Sequence, residues 1–362
     1  MSRTDDLLIR RRLASQQLVS SRFLAPAQLV AWMTAVQAQD FAGAKWGVGM
    51  RVPGAREADI DALFDAGAIL RTHVLRPTWH FVAPADIRWM LMLTGPRVLA
   101  TCAPYCRKLE IDAAVLKKSR PVLERAMRDN AFKTRTELGH ALGRNGIVAT
   151  GVRLGFLMMD AELNAQVCSG PRRGKQFTYA LIDERAPRAA SLTRDEALAE
   201  LARRYFDSHG PATLRDFSWW SGLLMKDGQR GVDALDGALM KKEIGDRVYW
   251  SPRESRTAAS FDEAYLLPNY DEYLIAYKDR DPVVPPAAAR LASGVPGGEV
   301  FAHQIVLSGR LAGAWRRTVS SRRMLVDGRA YRPISVSERR ALTRAATRYA
   351  DFLQVPVECV VD

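Results

Sequence analysis

Residues 31–51 read Ala31-Trp-Met-Thr-Ala-Val-Gln-Ala-Gln-Asp-Phe-Ala-Gly-Ala-Lys-Trp-Gly-Val-Gly-Met-Arg51. An apolar run (Leu29, Val30, Trp32, Met33, Val36) ends in two amide side chains, Gln37 and Gln39, followed at once by the carboxylate of Asp40. In a helix the two amides would point about 200° apart, since each residue turns about 100°. In an extended segment both project from one face. Only the extended geometry could hold one water or one polar ligand between them. Asp40 reads first as a cap of the turn or helix that follows, and second as a part of the same constellation.

Around this stretch, composition sets limits. A chain of 362 residues exceeds what one core usually serves, because single cores rarely grow past roughly 250–300 residues. At 48% hydrophobic residues it is globular. No apolar run approaches the roughly 20 residues that span a bilayer. The start lacks a secretory apolar region, so a cytoplasmic location is expected. Cys102, Cys106, Cys168 and Cys359 suit a reducing compartment; the i,i+4 spacing of Cys102 and Cys106 lacks the further ligands of a metal site. No metal or cofactor motif is found, and no Gly-rich phosphate loop.

The balance of 53 basic to 40 acidic residues gives a net charge of +13, with arginine far ahead of lysine. Arginine forks suit phosphate, so nucleic acid is the first partner to consider and an anionic membrane surface the second. An Arg-rich genome is the bland alternative.

The elements fall into a repeated order. Helices are expected over 4–18, with Asp5 and Asp6 in the first turn, over 26–36 behind Pro26, and over 57–66. The run 71–82 reads as strand, with Pro77 confining it to an edge or a bulge. Helices near 111–129, 134–143 and 151–162 precede two short strands around Pro171-Arg-Arg-Gly-Lys175, a basic wing carrying Arg172, Arg173 and Lys175. A third cycle has a helix at 194–207, another capped by Thr213, one near 230–239, and a strand at 247–250. Residues 282–298 form a Pro/Ala/Gly-rich connector. Beyond it, Val300 to Arg317 is a β-hairpin candidate with Gly309 in its turn, and a basic helix at 336–353 follows. Arg316, Arg317, Arg322, Arg323, Arg329 and Arg332 face a single acid, Asp327, between Trp315 and Pro333. A solvated basic face is the plain account of these arginines. Aromatics interleaved with them on a hairpin that could reach a groove favour nucleic acid, with Arg310, Arg316, Arg317, Arg322, Arg323 and His303 as the contacts. The expected fold is mainly α with small β, as tandem helix-turn-helix units with a β appendage. Its boundaries are 1–100, 101–190, 191–281 and a C-terminal basic region at 282–362.

Gln37-Ala-Gln-Asp40, Leu75-Arg-Pro-Thr-Trp-His80, Arg204 to Asp216 (Arg-Tyr-Phe-Asp-Ser-His-Gly-Pro-Ala-Thr-Leu-Arg-Asp) and Gly313-Ala-Trp-Arg316 together resemble the bacterial winged-helix DNA glycosylases of the AlkZ and YcaQ type. The resemblance runs over nearly the whole chain. It implies tandem winged helices forming a C-shaped, positively charged channel for double-stranded DNA. It also implies a catalytic motif Gln-Φ-Gln, matched by Gln37, Ala38 and Gln39, whereas the other branch of the family carries Asp at the third position. The implied activity is excision of N7-alkylated purines, bulky or cross-linking, by a monomer without cofactor acting at the nucleoid. The rival class is a winged-helix transcriptional regulator without chemistry. Without the resemblance the glutamines would read as a polar end to a buried helix. His80 and His209 read as satisfied structural histidines, Trp32, Trp219 and Trp220 as core, and Leu266-Leu-Pro-Asn-Tyr-Asp-Glu-Tyr273 as packing at a domain junction.

Overall fold

The computed structural model describes residues 3–186, 188, 191–254, 256–258, 262–293, 303–319 and 323–362. After the helix α1 (Arg3–Ser15), the chain runs three times through helix, short strand, helix, helix, strand, strand. The first pass is α2 (Pro26–Met33), β1 (Ala35–Gln37), α3 (Phe41–Gly49), α4 (Glu57–Ala66), β2 (Leu70–Val74) and β3 (Arg76–Val82). A long helix α5 (Ile87–Lys108) leads to the second: α6 (Ala113–Met127), β4 (Lys133–Thr134), α7 (Arg135–Arg144), α8 (Gly151–Leu163), β5 (Val167–Ser169) and β6 (Thr178–Leu181). A short turn of helix, α9 (Ile182–Arg185), precedes the third: α10 (Arg194–His209), β7 (Ala212–Thr213), α11 (Leu214–Ser221), α12 (Met225–Asp233), β8 (Leu239–Ile244) and β9 (Arg247–Pro252). Each time the strands pair in the order first, third, second.

The last part is a five-stranded sheet in chain order. Its strands are β10 (Ala264–Leu267), β11 (Gln304–Leu307), β12 (Arg310–Val319), β13 (Met324–Ala330) and β14 (Val357–Val361). The helices α13 (Glu272–Ile275), α14 (Pro286–Ala292) and α15 (Val336–Leu353) lie between its strands in sequence. Among the described residues no helix is long and apolar enough to cross a membrane.

Several helices begin where a side chain can take the first orphan N–H groups. Thr134, Thr193, Thr213 and Ser335 each cap a helix and receive the answering carboxylate three residues on. Other elements were hidden in the sequence. Helix α3 is rich in glycine, and α5 carries Pro96 and Pro104 in its interior, which reads as interruption. The helix expected near 230–239 is in fact Met225–Asp233, and Leu239 opens β8. Four of the six β8 residues are exposed on an edge strand, so its Lys-Lys-Glu run looks like a solvated helix face. Pro77 lies in β3, the central strand of its sheet. Val74 pairs with Arg76 and His73 with Trp79, so Pro77 and Thr78 form a bulge that needs no ladder donor.

The strand that carries the first glutamine lies between two cores. Ala35 joins Leu70, Val82, Trp89, Leu198, Tyr205 and Trp220 on one side. Val36 and Ala38 join Trp46, Phe81, Leu266, Ile305, Trp315 and Tyr349 on the other. Strand alternation thus turns one three-residue segment into the seam between the first pass, the third pass and the C-terminal sheet.

Candidate active site

The Gln37 segment is extended. Gln37 stands opposite His80 in the β1–β3 ladder, and the next ladder bond runs from the Ala38 N–H to the Trp79 carbonyl at 2.7 Å. The Gln37 N–H points the other way, off the sheet edge, and donates to Oε1 of Glu272 at 2.7 Å. Gln37 and His80 are therefore a non-hydrogen-bonded pair, the type that brings opposite side chains closest. The Gln39 N–H donates to Oε1 of Gln37 at 2.9 Å, so the two glutamines are bonded to each other directly. Gln37 is 4% exposed, whereas Gln39 is open to solvent, its Oε1 within 3.5 Å of the Trp79 N–H. The Gln37 amide nitrogen has no hydrogen-bond partner among the described residues.

Asp40 is the N-cap of α3. Its backbone is extended and its carboxylate accepts from the Gly43 N–H at 3.0 Å. A Cβ on Gly43 would stand 2.7 Å from Oδ2 of Asp40 and 3.1 Å from Pro268, so the capped turn needs glycine there. Ala38, between the glutamines, is held through its carbonyl by Nε of Arg71 at 3.0 Å. The Arg71 side chain lies over Trp79 and Phe177, and burial pulls its pKa down to about 10 against the opposing charge of Glu162. Glu162 also bonds Nδ1 of His73.

Behind Gln37 a buried polar network fixes the seam. Glu272 is 1% exposed; its second oxygen takes Nε1–H of Trp220 at 3.1 Å and lies 3.5 Å from Nε2 of His209. The neighbouring Asp271 holds Arg51 by two contacts of 2.8 Å, and Arg51 also donates to the Gly47 and Gln16 carbonyls. The stretch read as packing at a junction thus supplies the carboxylate nearest the glutamine pair. His80 gives its Nδ1–H to the Thr78 carbonyl at 2.9 Å, while its buried Nε2 has no partner among the described residues. Burial and the charge of Arg76 push the His80 pKa well below its usual value. The ring is neutral and its Nε2 is a bare acceptor. Chemically the pair can accept and donate hydrogen bonds in fixed directions; it cannot exchange protons near neutrality.

No cluster of three metal-ligating side chains occurs among the described residues. All four cysteines are free thiols, with pKa values raised by burial.

The basic residues singled out from the sequence separate into tied and open ones. Arg172 pairs with Asp61 at 2.9 Å, Arg173 with Glu137 at 2.9 Å, and Lys175 is exposed, with no ion pair among the described residues. Arg310 is 14% exposed and held by Asp6 at 3.0 Å. The turn beside it is packed inside the molecule. Tyr273 donates its hydroxyl to the Gly309 carbonyl at 2.7 Å, and a Cβ on Gly309 would meet Ile9 at 2.2 Å. That end of the hairpin does not project toward a groove, because α1 covers it. At the opposite end of β12 and β13, Arg316 is 83% exposed beside Asp327 and Arg323 is 71% exposed beside Glu358. Arg317 lies over the Tyr349 ring at 5.4 Å, and Arg322 falls outside the described residues. Nδ1 of His303 accepts from the Asn269 N–H at 3.1 Å, and its ring packs on Trp315. Burial and Arg317 lower the His303 pKa while the charge of Asp40 opposes them.

A family model described as DNA glycosylase AlkZ-like matches residues 30–352. The solved structure of the Streptomyces sahachiroi DNA glycosylase AlkZ superposes with a TM-score of 0.79 at 19% identity, covering 99% of this chain and 100% of that one. At that identity the superposition speaks for the fold alone. No curated protein matches the chain by sequence.

Proposed function

The chain belongs to the AlkZ-like DNA glycosylase family, and from that premise we propose that it hydrolyses the N-glycosidic bond of N7-alkylated purines, bulky or cross-linking, in duplex DNA. The observation that carries this reading is the bonded pair at the sheet edge, with Gln39 N–H on Gln37 Oε1 and the second amide open to solvent.

Water attacks C1′ of the deoxyribose as the bond to N9 breaks; the bond's electron pair leaves with the purine, and the added water gives its proton to solvent. Two fixed amides orient that water, and their carbonyl dipoles stabilise positive charge on the sugar. They supply no base, and Asp40 is spent as a cap. Such a site suffices when the leaving group departs readily. An N7-alkylguanine carries a positive ring that is discharged when it leaves, so the weakness of the catalyst selects the substrate class. The product is an abasic site with an intact strand, as a monofunctional enzyme leaves it.

In this reading the three helix-and-strand passes act as winged helices within 1–100, 101–190 and 191–281. They line a C-shaped channel with the basic part at 282–362. Lys175, Arg316, Arg317 and Arg323 face the duplex from outside the motif. A cross-linked adduct would be attacked without full extrusion, since the partner strand holds it.

The test is incubation of the protein with duplexes carrying N7-methylguanine or a nitrogen-mustard cross-link, followed by alkali to cut abasic sites. Lesion-dependent cleavage is expected. A yield equal to the protein-free control on every such lesion would overturn the enzymatic reading.

A further inference from the structure

Three polar side chains on β3 have buried atoms with no hydrogen-bond partner among the described residues: Nε and Nη2 of Arg76, Oγ1 of Thr78 and Nε2 of His80. Desolvated donors without acceptors are unfavourable, and a charged fork is the costliest of them. Arg76 is the one that bears on a ligand.

Its charge reaches two residues that touch Gln37. After burial, it is the next cause of the lowered pKa of His80, the cross-strand neighbour of Gln37; its own pKa is lowered by burial, and Glu272, the acceptor of the Gln37 N–H, opposes that. Glu272 does not satisfy the fork: its oxygens receive the Gln37 N–H and the Trp220 indole N–H, while Nε and Nη2 of Arg76 have no partner among the described residues. On its other flank the Arg76 guanidinium carbon lies 5.8 Å from the centroid of Trp219. The Nζ of Lys278 lies 4.7 Å from that same centroid, and Lys278 is exposed. Trp219 is fixed by its Nε1–H on the Ile275 carbonyl at 2.9 Å. Neither cation forms an ion pair among the described residues. Two cations without an ion pair therefore share one ring, next in sequence to Trp220, whose indole sits on the carboxylate that holds the Gln37 N–H, and the planar fork of Arg76 matches the oxygens of a phosphate.

We propose that Arg76 and Lys278, which share Trp219, seat a phosphodiester of the nucleotide whose glycosidic bond faces Gln37 and Gln39. The identity of that nucleotide rests on the glycosylase reading; the anion does not. The seat fixes the sugar relative to the amides. Unlike Arg172, Arg173 and Arg310, these cations are not already held by carboxylates.

The experiment measures binding to duplexes holding a tetrahydrofuran abasic analogue, so that chemistry does not intervene. Each phosphate from two positions before to two after the analogue is replaced in turn by a neutral methylphosphonate. One position is expected to weaken wild-type binding about tenfold, the scale of a charge-assisted contact, and to have no further effect on Arg76→Gln. The slope of log K against log salt should fall by about one in that variant. Lys278→Gln, a surface change, should blunt the same position, and serves if Arg76→Gln fails to fold. Losses that simply add, with the variants as sensitive as the wild type at every position, would overturn the seat. A wild-type protein that shows the coupling but excises no lesion upholds the seat and removes the proposed chemistry.

Discussion

The backbone N–H of Gln37 donates to the carboxylate of Glu272 at 2.7 Å, across 235 positions of sequence. The same carboxylate takes the Trp220 indole N–H. Two donors meet one group, and only a carboxylate of this length offers an acceptor to each. Glu272→Gln leaves one donor facing an amide NH2, a loss of about 1–3 kcal/mol for an unsatisfied buried donor. The strand edge bearing Gln37 then shifts, and displacement of a catalytic group by an ångström costs about 10²-fold in rate. Single-turnover excision should fall on that scale while duplex affinity holds. Wild-type turnover in a variant that stays folded would show that Glu272 does not set the position of Gln37.

The Gln37→Ala/Gln39→Ala variant separates chemistry from binding. Excision should be lost, while affinity for a lesion-bearing duplex and its salt slope stay unchanged, because neutral amides release no counterions. Either single variant should retain little of the activity if the bonded pair acts as a unit. Lost binding in the double variant would mark the pair as structural.

Asp40 caps α3, and its truncation should act on stability. Asp40→Ala is expected to lower unfolding free energy by about 1 kcal/mol, and Asp40→Asn, which keeps an acceptor for the Gly43 N–H, by less. Excision by Asp40→Asn should stay within a few-fold of wild type. Collapse of its rate with an unchanged melting midpoint would assign Asp40 a part in the reaction.

Acid should destabilise the protein in two windows. His80 and His303 have pKa values lowered from 6.5, mainly by burial and then by Arg76 and Arg317 respectively; at His80 the Thr78 carbonyl opposes this and His73 adds to it, and at His303 Asp40 opposes it. The unfolded chain takes up these protons first as pH falls, so this stability is complete above about 6.5 and drains below it. Glu137 and Glu338 are held at about 2, Glu137 chiefly by the Thr134 N–H and Glu338 by Arg332, so their contribution is lost between 4.5 and about 2. Urea midpoints should be level from pH 8 to 7, fall from 6.5 to 5, and fall again below 4.5. In His80→Asn the first fall should shrink. A midpoint that stays level down to pH 5 would contradict the buried neutral state of His80.

Local chemistry made much of the molecule legible. The Thr213 cap, the Pro26 start and the Gly309 turn follow from side-chain hydrogen bonds and allowed backbone angles within four residues. Elements whose cause lies farther away were not legible. Helix α5 tolerates Pro96 and Pro104 because its packing face, from Ile87 to Cys102, is buried in the larger core. Strand β8 exists because β9 pairs with it along its whole length.

The sequence by itself determined that two amides stand two residues apart before a carboxylate, and that a chain of this charge and element order suits nucleic acid. It left open whether those amides share a face. The fold holds Gln37 extended only because β3 pairs with its three-residue strand, which has no stability of its own, and Gln39, past the strand end, turns its N–H onto Gln37 Oε1. It also placed the carboxylates: Asp40, adjacent in sequence, turns to cap a helix, while Glu272, 235 positions on, accepts the Gln37 N–H. Contacts of that range are fixed by how the cores close around β1, and no window of neighbouring residues contains them.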